Sequence, residues 1–355
     1  MSAPSRPSVC FFARVRDRAV LRTTEFYAQD LAILGDLGFD VRVATRWGEI
    51  PWGCDLYYIW WWSWAFLPLI KARLGGRAAM ITGVIDQMIY RAKPRWQRRI
   101  LRANYAAADW NVVLSDGEFR WLREEFGGAR SSYIPLGVDT ALYAPGSGPR
   151  EEFCLTVCWM KRSNAVRKSM FELIAAVPLI LRERPGLRFR IAGGLEDGGP
   201  ELQALARDLG VADAVEFLGR IGTAEKVRLM QTCQIYLQPT RFEGFGMAIA
   251  EAMSCGAPVV TSRAGAVPEV VGDCGEYVDG TDPRSIADGV LRLARDPQRR
   301  RTRALAARRR IEREFSVERR RGALAELLRD LLPMSRSPAD LPVPSGSGPG
   351  EVHRG

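Results

Sequence analysis

The chain has 355 residues, of which 47% are hydrophobic and 26% are charged, and it carries a formal net charge of +10. This length suits two domains that each bury their own core, and the composition is that of an ordinary globular protein. The charge favours anionic ligands such as phosphates and acidic lipids. Because nearly all the basic residues are arginines, a local arginine cluster by itself indicates little.

The first half of the chain alternates predicted strands and helices. The strands are predicted at residues 9–13, 41–44, 56–60, 78–82, 110–114 and 131–135, and the helices at residues 25–37, 95–107 and 119–125. A capping box at residues 115–118 opens the last of these helices. This alternation predicts a parallel sheet covered by helices on both faces.

A second series follows residues 144–150, a Pro-, Gly- and Ser-rich segment that predicts a linker. Its strands are predicted at residues 153–157, 188–192 and 215–218, and its helices at residues 169–182, 201–209, 225–232 and 299–332. The two series predict two α/β domains joined by a short hinge, with a ligand in the cleft at the carboxyl ends of the strands. Residues 333–355, which include the only histidine, His353, are predicted to be disordered.

Three patterns bear on location. The seven cysteines lack CxxC or Cys/His spacing, which indicates reduced thiols in a cytosolic protein and no metal site. The N-terminus lacks the apolar region of a signal peptide. Residues 56–70 form the longest uncharged run, but a membrane-spanning helix needs about twenty apolar residues. A cytoplasmic location is expected.

The segment from residue 234 to residue 270 contains the strongest chemical pattern. A predicted strand at 234–237, a turn with Gly244 and Gly246, a helix at 247–253 and a strand at 258–261 place Glu243 in the loop and Glu251 in the helix. The free amides of the helix start favour a phosphate, and Glu251 can accept hydrogen bonds from a ribose diol. A diphosphate between two hydroxyl-bearing groups describes a nucleotide sugar. The alternative is a core crossover with exposed glutamates.

Glu243, seven residues and Glu251, together with EGFG at 243–246, GAPVV at 256–260 and PEV at 268–270, resemble the donor-site signature of the retaining glycosyltransferases of family four. The resemblance implies the GT-B fold, an α/β architecture of two Rossmann-like parallel-sheet domains facing a central cleft. It implies an acceptor-side domain at residues 1–145 and a donor domain at residues 146–314. The last helix, residues 315–332, would pack back onto the first domain.

The resemblance also assigns residues to roles. In the family an arginine and a lysine hold the donor diphosphate, and the matching positions are Arg162 and Lys168, with Arg167 and Lys161 as alternatives. The alternative is that residues 161–168 form a solvated basic loop without a ligand. Backbone groups of Arg220 and Ile221 would meet the base. The complete donor-contacting set is Arg162, Lys168, Arg220, Ile221, Glu243, Gly244, Phe245, Gly246, Met247, Ala248 and Glu251, and the catalytic set is Glu243, Arg162 and Lys168.

The first domain departs from the family pattern. The loop after the first strand is arginine-rich and lacks the usual glycine pair, and no histidine follows the third or fourth strand. Either Trp60, Trp61, Trp62 or Trp64 shapes the cleft, or Trp60 is core and the other three pack under a loop.

The implied activity is the metal-independent transfer of a hexose from a nucleoside diphosphate sugar to an acceptor hydroxyl, with retained anomeric configuration and no cofactor. The acceptor would be a sugar, a lipid-linked sugar or a natural product. Two rivals remain: an enzyme that hydrolyses, isomerises or phosphorolyses a sugar nucleotide, and a non-catalytic sugar-nucleotide-binding partner.

The basic stretch at residues 90–102 has two readings. It fits either an anionic surface, which would place the protein peripherally at the inner membrane, or a solvated helix face. Nucleic-acid binding is not expected, because the arginines are dispersed and no nucleic-acid-binding fold pattern is present.

Overall fold

A computed structural model describes residues 6–332, apart from the side chain of Met88. The predicted disordered tail and His353 lie outside the described residues. The chain forms two compact units. One combines the described residues up to Gly137 with those from Val317 onward, and the other is Val138–Ser316.

The first unit is built on a six-stranded parallel sheet with strand order β2-β1-β3-β4-β5-β6. Its elements are β1 (Ser8–Ala13), α1 (Val20–Thr23), α2 (Glu25–Asp36), β2 (Asp40–Ala44), β3 (Leu56–Trp60), α3 (Phe66–Leu74), β4 (Ala78–Gly83), α4 (Gln87–Ala92), α5 (Arg95–Ala107), β5 (Trp110–Val113), α6 (Asp116–Phe126) and β6 (Ser131–Tyr133). Short 3-10 turns lie at Trp47–Glu49 and Trp62–Trp64. The uncharged run at 56–70 is therefore divided between a buried strand, a turn and a helix.

The second unit contains another six-stranded parallel sheet, with strand order β12-β11-β10-β7-β8-β9. Its elements are β7 (Glu151–Val157), α7 (Arg162–Arg167), α8 (Met170–Leu181), β8 (Arg188–Ala192), α9 (Gly198–Asp208), β9 (Val215–Gly219), α10 (Thr223–Thr232), β10 (Cys233–Gln238), α11 (Met247–Ser254), β11 (Val259–Ser262), α12 (Val267–Val271), β12 (Glu276–Val278), α13 (Pro283–Arg295) and α14 (Pro297–Glu314). The final helix, α15 (Val317–Leu331), belongs to the first unit.

The central strands are buried on both faces, and in β10 this burial includes the polar residues Gln234 and Gln238. β3 and β10 have no exposed residue, which is the pattern of a parallel sheet covered by helices. No helix in residues 6–332 combines the length and the hydropathy that crossing a bilayer requires.

The division between the units does not fall at the predicted linker, residues 144–150. It falls after Gly137, because the segment that follows is hydrogen-bonded within the second unit. The carbonyl of Tyr143 accepts from the Ser254 hydroxyl at 2.7 Å, and that of Ala144 accepts from Gln231 at 2.8 Å. Proline and glycine content shows where a chain turns, but these contacts determine which unit the segment joins.

The predicted helix at 299–332 is interrupted at Phe315 and Ser316, and α15 is anchored by Arg320. The buried guanidinium of Arg320 donates to both carboxylate oxygens of Asp30, at 2.8 and 3.0 Å, and to the carbonyls of Ile134 and Pro135. Tyr58 donates to the same carboxylate at 2.6 Å. A buried charge needs such a set of partners.

Much of the arginine excess has an internal role. Arg150 donates to the carbonyls at the ends of α10 and α11, and Arg308 donates to carbonyls of Thr140, Tyr143 and Ser254. The last carbonyls of a helix lack intrahelical partners, so an arginine fork satisfies several of them at once. Part of the positive charge behind the net value of +10 is therefore already engaged within the protein and is not available to anionic ligands.

The tryptophans at the end of β3 and directly after it divide between core and surface. Trp60 and Trp62 are buried, Trp61 is half-buried, and Trp64 is exposed. The prediction that Trp60 belongs to the core is thus confirmed. Trp62 belongs to the core as well, because both rings pack among the aromatic side chains of the first unit.

Candidate active site

The loop between β10 and α11 is held by a close approach of the loop that follows β11. The amide of Ala266 donates to the carbonyl of Glu243 at 2.8 Å. Gly265 has φ +57°, and a Cβ atom at this residue would lie 2.2 Å from the same carbonyl oxygen. Only glycine tolerates both conditions. This contact ties Gly265 and Ala266, which stand just before the PEV sequence, to the loop that carries Glu243.

The Glu243 carboxylate is buried between two cations. Its oxygens lie 3.1 Å from Lys168 Nζ and 3.3 Å from Arg167 Nη1, and Gln238 Nε2 donates to it at 2.9 Å. Burial alone would raise the pKa of Glu243, but the charges of Lys168 and Arg167 outweigh it and hold the pKa below its usual value. Glu243 is therefore an ionised group at neutral pH.

The corner between α7 and α8 presents these two cations. Ser169, with φ +50°, is one of two non-glycine residues with positive φ among residues 6–332, and it turns the chain directly after Lys168. Arg167 is tied to the loop before α11: its guanidinium donates to the Phe242 carbonyl, and its own carbonyl accepts from the Arg241 amide at 2.8 Å. Arg167 thus clamps the loop that carries Glu243.

Arg162 is not brought to Glu243. It is the first residue of α7, where it meets the start of α9, and its Nε lies 2.9 Å from a carboxylate oxygen of Glu201. Its backbone amide donates to Asp197 at 2.8 Å. The Arg162 side chain is 59% exposed. Of the cations named from the sequence, the structure places Lys168 and the alternative Arg167 beside Glu243.

Glu251 has a partner that the sequence reasoning missed. It lies in the second turn of α11, and both of its carboxylate oxygens are 3.1 Å from Lys226 Nζ, on α10. The Lys226 ammonium also lies 5.1 Å from the ring centre of Tyr143. Lysine is rare in this arginine-rich chain, but the sequence does not show that Lys168 and Lys226 lie beside the two glutamates of the motif.

The start of α11 presents backbone rather than side chains. Gly246 has φ +93°, and the Phe245 ring is buried against Phe315, with ring centres 5.7 Å apart. Gly244, Met247 and Ala248 are half-buried. Phe245 was predicted to contact the donor; with its ring turned into the core, only its backbone is available for that contact.

The loops after β7 and β8 are also in close contact. Gly193 has φ +144°, and a Cβ atom there would lie 1.9 Å from the Cys158 carbonyl oxygen. Next to this contact, Arg220 follows β9 with an exposed side chain, and Ile221 is half-buried. Both residues thus lie at the carboxyl edge of the second sheet, where parallel α/β sheets bind ligands.

The second unit, which carries this site, matches a known protein family. The family model for Glycosyl transferases group 1 matches residues 154–296, which contain Glu243, Glu251 and the cations paired with them, Arg167, Lys168 and Lys226. A GDP-mannose-dependent alpha-(1-6)-phosphatidylinositol monomannoside mannosyltransferase from Mycolicibacterium smegmatis is 31% identical over 291 residues, covering 75% of this chain and 67% of that protein. The chain belongs to the group 1 glycosyltransferases.

Other similarities extend across both units of this glycosyltransferase. The enzyme of the same name from Mycobacterium tuberculosis H37Rv is 29% identical, covering 78% of this chain and 76% of that protein. Sucrose-phosphate synthase from Thermosynechococcus elongatus superposes with a TM-score of 0.77 at 18% identity, covering 92% of this chain and 99% of that one. HepE from Anabaena, in complex with UDP and glucose, gives a TM-score of 0.75 at 18% identity, with coverage of 92% and 100%. The predicted GT-B fold is confirmed.

Proposed function

We propose that this group 1 glycosyltransferase transfers a hexose from a nucleoside diphosphate sugar to an acceptor hydroxyl with retention of anomeric configuration. The observation that carries the proposal is the buried, ionised Glu243 beside Lys168 at the carboxyl edge of the second sheet. A carboxylate suits donor-sugar hydroxyls, and a neighbouring ammonium suits the diphosphate. Glu251, held by Lys226, is the carboxylate that we assign to the ribose hydroxyls.

We propose that Arg162, in addition to Lys168, binds the donor diphosphate. Its pairing with Glu201 is exposed on both sides, and breaking such a pair costs about 0–1 kcal/mol, which a phosphate readily offsets. Arg167 is a less suitable phosphate ligand, because its guanidinium is already bonded to Phe242, Asn164 and Glu243.

In the proposed step, the anomeric carbon forms a bond to the acceptor oxygen and its bond to the diphosphate oxygen breaks. The acceptor oxygen attacks from the face that the diphosphate leaves, and the proton of the acceptor hydroxyl passes to the departing phosphate oxygen. Lys168, Arg162 and the α11 amides stabilise the negative charge that develops there. These cations supply the charge that a metal ion would otherwise supply, so we propose that the reaction needs neither a metal nor a cofactor.

The first donor to test is GDP-mannose, since the Mycolicibacterium and Mycobacterium relatives are named as GDP-mannose-dependent. Their names also place the acceptor hydroxyl on a phosphatidylinositol mannoside, so phosphate-bearing inositol compounds are the first acceptors to test. A donor that binds only the folded chain raises the melting temperature by mass action. We expect a shift with one nucleoside diphosphate sugar, and acceptor-dependent nucleotide release from it.

The product distinguishes transfer from the rival reactions. NMR of the new glycoside should show the anomeric configuration of the donor, and activity should survive EDTA. Nucleotide release that is equally fast with and without every acceptor would instead support hydrolysis. An inverted product would contradict retention.

We further propose that α4 and α5 contact an anionic lipid surface. Ile89, Trp96 and Ile100 are exposed, with Trp96 at 61%, and they lie among the basic residues Arg91, Lys93, Arg95 and Arg99. Exposed apolar residues with a basic surround suit the boundary between headgroups and acyl chains. Binding to phosphatidylglycerol vesicles should weaken with added salt and in W96A; binding that responds to neither change would contradict this contact.

A further inference from the structure

Three loops of the first unit converge on one arginine. Arg14 directly follows β1, while Trp47 and Trp64 lie in the short turns after β2 and β3, the two neighbours of β1 in the sheet. The guanidinium carbon of Arg14 lies 5.6 Å from the ring centre of Trp47 and 5.9 Å from that of Trp64. The two indole rings are 6.4 Å apart. The three side chains thus form one cluster at the carboxyl edge of the first sheet.

The cluster is open to solvent. Trp47 is 46% exposed and Trp64 is 42% exposed. Exposed indoles beside a cation are often only surface packing. The position of this cluster indicates a ligand site, because parallel α/β sheets bind their ligands at the carboxyl ends of the strands. Here the loops after three adjacent strands each contribute one residue to the cluster.

The turn that carries Trp64 is rigid and strained. Trp61 has φ +78°, and its backbone and indole N–H groups donate to Thr82 and Tyr27, at 2.8 and 2.6 Å. Gly83 lies against its ring, where a Cβ atom would approach to 3.1 Å. A non-glycine residue at positive φ costs about 1 kcal/mol or more, and such strain is concentrated in functional sites. The strained turn fixes where Trp64 stands.

The carboxylates of these loops are already occupied. Asp17 accepts from the Ala19 amide, and Glu49 accepts from the amides of Thr45 and Arg46. Within residues 6–332 no carboxylate pairs with Arg14. Its N–H groups, which lie beside the two rings, are therefore available to an anion from solution.

We propose that Arg14, Trp47 and Trp64 form an acceptor subsite for a hydroxylated ring that carries a phosphate. The Arg14 fork receives the phosphate and an indole face receives the apolar face of the ring. This inference rests on the proposed function, because an acceptor is what sugar transfer requires besides the donor. The same phosphate chemistry occurs in a free sugar phosphate, as a monoester, and in a lipid headgroup, as a diester.

The test is isothermal titration calorimetry of the full chain with inositol 1-phosphate, glycerophosphoinositol and inositol. We expect at least one phosphorylated probe to bind about tenfold or more tightly than inositol. The better of the two distinguishes the monoester from the headgroup diester. Arg14→Gln should remove the preference for phosphate, whereas W47A and W64A should weaken binding of every probe that binds.

Arg16→Gln is the matched control, because Arg16 is exposed in the same loop and the structure shows no ring contact for it. The subsite is overturned if Arg16→Gln loses as much affinity as Arg14→Gln, if Arg14→Gln changes nothing, or if neither phosphorylated probe binds. Melting-temperature shifts with GDP-mannose and UDP-glucose, measured on the same variants, should be unchanged. Absence of any donor shift in the wild-type chain would count against the proposed function and not against the subsite.

Discussion

The ammonium of Lys226 lies 3.1 Å from each carboxylate oxygen of Glu251, and both side chains are almost entirely removed from water. Lys168 stands at the same distance from Glu243. Each motif glutamate therefore has a lysine partner from a different element. Removing a charge from water costs free energy, so the loss of either member of such a pair leaves the other as an uncompensated buried charge that destabilises the fold.

Replacing Lys226 with Met should destabilise the chain by about 3–5 kcal/mol, because Glu251 would keep a buried charge without its cation. Urea unfolding measures the change. The double variant K226M/E251Q should be more stable than K226M alone, since the uncompensated charge is then gone. Equal losses in K226M and the double variant would show that the ion pair is not what stabilises this position.

Arg162 and Arg167 should respond differently to substitution with Gln. Arg162→Gln should weaken donor binding about tenfold or more, since a charged hydrogen bond contributes about 1.5–3 kcal/mol, and should leave stability within about 0.5 kcal/mol. Arg167→Gln should instead lower stability by about 1–3 kcal/mol, because the Phe242 carbonyl keeps only the Thr240 hydroxyl as a donor and the buried Glu243 loses one of its two cations. Calorimetric titration with the donor and urea unfolding separate the two effects.

The matched control is Glu201→Gln, which releases Arg162 and should leave donor affinity equal or higher. Unchanged donor affinity in Arg162→Gln, with a loss at normal stability in Arg167→Gln, would assign the phosphate to Arg167.

The pairing of Glu243 with Lys168 and Arg167 should make the free energy of unfolding depend on pH. The folded-state pKa of Glu243 lies below its usual value of 4.5, so its contribution is present above that value and is lost as the pH falls through the folded-state pKa. Urea unfolding from pH 7 to pH 3 should therefore show the stability advantage of wild type over E243Q shrinking below about pH 4.5. An advantage that stays constant over this range would contradict the depressed pKa.

Gly265→Ala should destabilise the active-site loop far more than a typical glycine replacement. The new Cβ atom would meet the Glu243 carbonyl at 2.2 Å, so the loop must shift in addition to adopting an unfavourable φ. Gly210→Ala is the control, because φ there is +69° with no atom within 4 Å, and its cost should be about 1 kcal/mol. The melting temperature should fall much further in the Gly265 variant than in the Gly210 variant, and donor binding should weaken in the Gly265 variant only. Similar losses in the two variants would mean that strain, and not the contact with Glu243, sets the cost.

Parts of this site could be predicted because they are local. Gly246 stands in a left-handed conformation before α11, and Glu251 follows in the second turn, so the order of residues alone places the glycine and the glutamate around a helix start. The partner of Arg162 could not be predicted in this way. Glu201 is 39 residues away, and only the packing of α9 against α7 brings it within 2.9 Å.

The sequence by itself determined the two parallel sheets, since apolar strands alternate with helices along both halves of the chain, and it determined the Glu243–Glu251 motif at the start of α11. The tertiary structure alone decided which cation meets which carboxylate, that Lys226 belongs to the site, and that Arg14 lies beside two indoles. The reason is physical. Burial depends on the polarity of each side chain, which the sequence states directly, whereas a charge pair depends on a distance of 3 to 4 Å between groups that only the folded chain brings together.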